Sequence, residues 1–221
     1  MIDIVHEDEA LIVLNKPAGL LSVPGRGPEH ADCLSARVQA QRPDALVVHR
    51  LDMDTSGLIV MAKGPAMQRR LSQSFAQRET HKTYTAWVWG HPAPADDPAT
   101  WQAIDLPLIV DWPKRPKSKV CFEQGKPSLT HWRPAPHGVD SPWAGAHSRL
   151  ELSPVTGRSH QLRVHLLAIG HPILGDPLYG RDGDDDAVAL AAPRLLLHAT
   201  RLALPHPISG DNMEWTSPPP F

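Results

Sequence analysis

The chain has 221 residues, 41% of them apolar, and a formal net charge of −2, enough to bury one core of ordinary size. Its only cysteines, Cys33 and Cys121, lie far apart with no C-x-x-C spacing, which excludes a disulfide framework and a structural zinc site and fits a reducing cytoplasm. The acidic start, Met1-Ile2-Asp3-Ile4-Val5-His6-Glu7-Asp8-Glu9, has no long apolar run and so reads as neither a signal peptide nor a membrane span.

Residues 10–14 (ALIVL) form a branched apolar run stopped by Asn15-Lys16-Pro17-Ala18-Gly19, the pattern of a buried strand. Asp32 is placed to cap a helix carrying Leu34, Val38 and Gln41, which Pro43 ends. Residues 58–62 read as a second buried strand, and Gly64-Pro65 opens a helix with Met67, Leu71, Phe75 and Arg78 on one stripe. Tyr84, Ala86 and Val88 then alternate with Thr83, Thr85, Trp87 and Trp89, a period of two that marks a strand. Leu162, His165, Leu166 and Ile169 recur at helical spacing, with Ser159 as cap, Gly170 as left-handed stop and Arg163 off the apolar stripe. Leu195, Leu197, Ala199, Leu202 and Leu204 predict a late strand pair broken near Thr200. Segments 91–100, 133–147 and 181–192 read as loops from their Pro, Gly, Ala and Asp content. Strands and helices mix without regular alternation, which predicts an α+β fold, and no internal repeat is present.

Charge is polarised along the chain. Between residues 63 and 82, Lys63, Arg69, Arg70, Arg78 and Lys82 face Glu79 alone; between 112 and 126, Lys114, Arg115, Lys117, Lys119 and Lys126 face only Glu123. Acids gather instead in the first nine residues and at Asp182, Asp184, Asp185 and Asp186, so one basic face is expected despite the near-neutral total.

The strongest chemical signal is His49-Arg50-Leu51-Asp52-Met53-Asp54-Thr55-Ser56-Gly57, which delivers a carboxylate beside an arginine from a polar turn onto an apolar strand. This block resembles the HRLD-x-x-TSG signature of the RluA family of RNA pseudouridine synthases. Asn15-Lys16-Pro17-Ala18-Gly19, Lys82-Thr83-Tyr84-Thr85-Ala86, Thr156-Gly157-Arg158-Ser159-His160-Gln161-Leu162-Arg163 and Gly170-His171-Pro172-Ile173-Leu174-Gly175-Asp176 are similar to further family segments. The likeness runs from about Ile4 to Leu204, nearly the whole chain. It implies a pseudouridine synthase fold, a mixed, largely antiparallel central sheet with flanking helices and a central active-site cleft. One catalytic domain over residues 1–221, without a preceding S4-like RNA-binding module, is the expectation.

Turning uridine into pseudouridine breaks the glycosidic C–N bond and rejoins the same uracil through C5, with no net redox change; neither cofactor nor metal is expected. The resemblance implies Asp52 as nucleophile, a role in which carboxylates serve well at sugar carbons, while Asp54 suits the turn. It implies Tyr84 as the aromatic surface for the target base and Arg163 as the cation that favours the ionised carboxylate, with Arg158 competing for that role. Arg50 corresponds to the family arginine that fills the gap left by a flipped nucleotide. Arg158, His160, Lys82, Lys114, Arg115, Lys117 and Lys119 are the expected RNA contacts. His160 and His165, five residues apart, do not match an i, i+4 zinc pair, and no H-E-x-x-H, G-x-S-x-G or phosphate-loop motif is present, which rejects metallohydrolase, serine hydrolase and NTPase readings. The short subgroup resembled implies two RNA substrates, a hairpin of 23S rRNA and tRNA anticodon stem-loops, read by loop shape. A cytoplasmic monomer without membrane contact is the plain expectation.

Overall fold

The computed structural model describes residues 2–135, 146–180 and 191–221. Its elements begin with β1 (Ile4–Glu7), β2 (Leu11–Lys16), α1 (Leu34–Gln39), β3 (Ala45–Val47), β4 (Ser56–Lys63), α2 (Gly64–Ala76) and β5 (His81–Trp89). There follow β6 (Gln102–Asp105), β7 (Leu108–Val110), β8 (Ser118–Val120), β9 (Leu129–Pro134), β10 (His147–Pro154), α3 (Gln161–Ala168), β11 (Leu197–Pro205) and β12 (Asn212–Thr216). The chain divides into two compact units, Met1–Lys82 with His198–Phe221, and Thr83–Leu197.

In the first unit β2 lies antiparallel between β1 and β4, with Leu11 opposite Ala62 and Lys16 opposite Gly57. β3 pairs antiparallel with the far end of β4, β11 runs parallel to its start, and β12 returns antiparallel along β11. Leu11 to Leu14 are wholly buried on both faces, as an uninterrupted apolar run requires. Leu11, Val13, Leu58, Val60 and Ala62 point to one face and meet Leu71 of α2, Leu202 and Leu204 of β11 and Trp215 of β12; Met67 and Phe75 add the rest of the α2 stripe. Each such Leu or Val contributes ~1.5–3 kcal/mol on leaving water. Gly57, at φ +109°, has no alternative: a Cβ there would stand 2.4 Å from the carbonyl oxygen of Ala199 on the parallel neighbour.

The second unit carries the antiparallel run β5-β10-β9-β6, with Tyr84 opposite Leu152 and Leu152 opposite Trp132. β7 and β8 form a separate hairpin. Its Leu108 packs with Val164 of α3 and Tyr179. The fold is therefore α+β, mixed and largely antiparallel.

Four local expectations change. The first helix is capped by Cys33, whose Sγ accepts from the Ala36 N–H, because Asp32 is turned outward to a bidentate pair with Arg37. The late strand does not break at Thr200; β11 is continuous and its partner is β12, since the β12 backbone supplies a full ladder from Arg201 to Pro205. At α3 the N-cap is His160, in the left-handed region at φ 56°, not Ser159. Among the described residues no side chain caps the start of α3; Gln161 instead ties it to its surroundings, its Oε1 accepting from Arg158 N–H and Thr156 Oγ1 and its Nε2 donating to Leu129 O and Thr130 Oγ1. Gln161 to Leu166 are all buried, so α3 is a core helix and Arg163 is not on an outer face. Gly170, at φ +84°, ends it as expected. Residues 91–100 are irregular as expected, while the loops expected at 133–147 and 181–192 fall largely outside the described residues.

Candidate active site

Asp52 sits in the connection between β3 and β4, which is fixed at successive residues. His49 accepts the Val60 N–H at Nε2 (3.1 Å). One hydroxyl, that of Ser22, accepts the Leu51 N–H (3.1 Å) and donates to the Leu51 carbonyl (2.7 Å). The Asp52 carbonyl closes a turn onto the Thr55 N–H (3.2 Å), and the Met53 carbonyl accepts from Gly19 N–H (3.0 Å) and Lys16 Nζ (2.8 Å). Lys16 is wholly buried and also donates to the carbonyls of Pro17 and Leu20. An ammonium in that position is viable because its three donors meet three carbonyl oxygens. Asp52 itself is partly buried, whereas Arg50 and Met53 on the same turn are exposed.

His49 also stacks on Phe75, ring centres 4.6 Å apart, and burial beside Lys82 pushes its pKa down to about 3. The imidazole is thus neutral and keeps Nε2 as an acceptor. Lys82 lies with Nζ 5.7 Å over the other partner of that stack, Phe75, and burial lowers its pKa as well.

In the second unit Tyr84 is buried on β5. Arg163 is 2% exposed and forms a two-pronged pair with the wholly buried Asp176, Nε to Oδ2 at 2.8 Å and Nη2 to Oδ1 at 2.6 Å. Asp176 Oδ1 additionally accepts the N–H groups of Leu178 and Tyr179. The Arg163 guanidinium lies 5.0 Å from the centre of the Tyr179 ring. The Tyr179 hydroxyl accepts the Ser118 N–H (2.7 Å) and meets His160 Nδ1 (2.8 Å), tying the β7–β8 hairpin to the start of α3.

Of the other expected RNA contacts, Arg158, Lys114, Arg115 and Lys119 are exposed, and Lys117 stands 5.8 Å over the Tyr179 ring. Arg158 reaches the Pro127 carbonyl only at 3.4 Å, while Lys119 pairs with Asp111 at 3.2 Å. Lys16, Ser22, Asp176 and Tyr179 had no role assigned from sequence. Asp176 offered the one usable signal, an acid in an apolar surrounding two residues after Leu174, within a segment already matched. Among the described residues no three His, Cys, Asp or Glu side chains are gathered to hold a metal ion, and no helix is long and apolar enough to cross a membrane.

A mixed, largely antiparallel α+β scaffold, with the Asp52 carboxylate carried on a turn anchored at residues 49, 51, 52 and 53, is the arrangement expected of the class of RNA pseudouridine synthases. The chain belongs to the RNA pseudouridylate synthase family, whose model matches residues 10–168. It is 50% identical over 218 residues to the dual-specificity RNA pseudouridine synthase RluA of Escherichia coli strain K12, covering 99% of this chain and 93% of that protein. The RluA of Pasteurella multocida strain Pm70 is 46% identical, over 100% of this chain and 94% of that one. Among solved structures, human RNA pseudouridylate synthase domain containing 1 superposes with a TM-score of 0.77 at 28% identity, covering 100% of this chain and 84% of its own. Membership of the RluA family carries the activity of an isomerase, an RNA pseudouridine synthase.

Proposed function

We propose that this enzyme modifies uridines in both ribosomal and transfer RNA, a hairpin of 23S rRNA and tRNA anticodon stem-loops, with Asp52 as its nucleophile. The anchoring of residues 49, 51, 52 and 53 is the observation that supports Asp52: a turn held by buried donors is the rigid mount a reacting group needs. In this reading Asp52 adds to C1′ or to C6, the C1′–N1 bond breaks, the ring turns, C1′–C5 forms, and the C5 proton leaves as N1 gains one. Asp52 is regenerated, so no external reagent is consumed.

Tyr84 supplies the stacking surface for the freed uracil. Arg163 is the cation that favours the ionised nucleophile, and Asp176, bonded to its Nε and Nη2, orients the guanidinium. Arg50, exposed and without a hydrogen bond or ion pair among the described residues, enters the space of the everted nucleotide. Lys114, Arg115, Lys117, Lys119 and Arg158 neutralise phosphates, with His160 and Lys82 as further RNA contacts. The enzyme works as a cytoplasmic monomer, where its RNAs are.

Release of tritium from C5-labelled uridine tests this on 23S rRNA and tRNA transcripts. Wild type is expected to release label from both, whereas Asp52→Ala and Asp52→Asn release none above background and still bind RNA. Retention of activity within ~10-fold in Asp52→Ala would overturn the nucleophile, since loss of a covalent catalyst costs far more. Release from only one RNA class would overturn the dual reading.

A further inference from the structure

We propose that the tip of the β7–β8 hairpin is a stacking platform for an unpaired nucleobase of the RNA, with Trp112 as its surface and Arg115 as its backing. This rests on RNA being the substrate and adds a base contact to what was otherwise a phosphate-binding segment.

The indole of Trp112 is 66% exposed, an unusual cost for so large an apolar ring. Its place is nevertheless fixed. Asp111 N–H bonds to Lys117 O, Lys114 N–H to Asp111 O and Lys117 N–H to Lys114 O, all within 3.0 Å, so the tip is a closed set of turns. At the base of the hairpin the Ser118 N–H is held by the buried Tyr179 hydroxyl. The Arg115 guanidinium lies 3.7 Å from the indole centre and so covers one face of the ring. With that face covered, the 66% exposure places the opposite face in water.

A flat ring, held still, backed by a cation and open on one side offers a nucleobase what a neighbouring base would offer in a helix. The surrounding charge selects the class of ligand. Lys114, Arg115, Lys117 and Lys119 stand against Asp111 alone between residues 111 and 119, in a chain whose net charge is −2. Lys114 and Arg115 are exposed beside the ring, where the phosphates flanking a stacked base would lie. The bases all share a π-face, so a contact made through the ring face tolerates different bases. That is the property needed by a surface that receives two different RNA loops.

The experiment measures equilibrium binding of a tRNA anticodon stem-loop transcript across a salt series, together with initial rates of pseudouridine formation, for wild type, Trp112→Ala, Trp112→Phe, Trp112→Leu and Lys114→Ala. Trp112→Ala is expected to weaken binding ~5- to 100-fold with an unchanged salt slope. Trp112→Phe stays within ~3-fold of wild type, since it keeps an aromatic face. Trp112→Leu falls with Ala, and Lys114→Ala flattens the salt slope by about one. KM rises in Trp112→Ala while kcat holds. Full affinity in Trp112→Ala, as expected if the tip docks on a protein instead, overturns the platform, and so does a leucine that binds as well as phenylalanine. Should wild type form no pseudouridine, the substrate assignment fails on its own, and the affinity comparison still decides the platform.

Discussion

The pair Arg163–Asp176 sets up a sharp test of how the second unit is held. Both side chains are buried, and Asp176 satisfies four donors: two on the guanidinium and the N–H groups of Leu178 and Tyr179. Asp176→Asn is the informative change, because its Oδ1 can keep the two backbone N–H groups while its amide faces the guanidinium donor to donor. Removing one charge of a buried pair costs ~3–5 kcal/mol, most of it the penalty of a buried cation without this counter-charge. Set against a typical stability of ~5–15 kcal/mol, that is a large fraction. Adding Arg163→Met removes that buried cation, so the double variant Arg163→Met/Asp176→Asn is expected to recover ~2 kcal/mol or more over Asp176→Asn, while remaining inactive in tritium release. Urea unfolding at pH 7 followed by tryptophan fluorescence reads all three proteins. A loss below ~1 kcal/mol in Asp176→Asn, or a double variant no more stable than the single one, would refute the reasoning.

Gly57→Ala places a methyl group 2.4 Å from Ala199 O on a backbone at φ +109°, and thermal unfolding should show a loss of ~3 kcal/mol or more. Lys16→Met strands the carbonyls of Pro17 and Leu20 and leaves that of Met53 with the Gly19 N–H alone, and a drop of ~3 kcal/mol in denaturant stability is expected; a neutral result would mean water replaces the ammonium. His49 has a folded pKa of about 3 against an ordinary 6.5, so between those values the unfolded chain binds the extra proton and stability falls as pH is lowered. Well below pH 6.5 the slope reaches ~1.4 kcal/mol per pH unit for this one proton, and His49→Gln should lose that slope in unfolding curves taken from pH 7 to 5.

The parts of the molecule carried by local pattern were legible in the sequence. The run at 10–14, the stripe Met67-Leu71-Phe75 and the alternation around Tyr84 each specify an element, because their burial follows from spacing within a few residues. What spacing could not show was burial decided by distant neighbours. Arg163 sits off the apolar stripe of α3, yet Asp176, thirteen residues on, supplies the charge that lets it be buried. Ser22 and Lys16 support the Asp52 turn from 29 and 37 residues away, and neither residue type announces such a bond. Cys33 took the capping position from Asp32 because Arg37 competes for that carboxylate, a choice between two partners that the sequence leaves even. Around Trp112 the sequence marks only the basic residues, since the exposure of the ring is a property of the folded hairpin.

The Ser22 hydroxyl, bonding both polar groups of one peptide residue, imitates at Leu51 what the edge of an adjacent strand would provide. A true strand would impose its pleat, sending odd and even positions to opposite sides. Because a side chain does the holding, the segment from Arg50 to Asp54 escapes that two-way sorting, and each residue there is at liberty to aim in its own direction. The motif can therefore vary its neighbours, Met53 among them, without re-aiming the carboxylate.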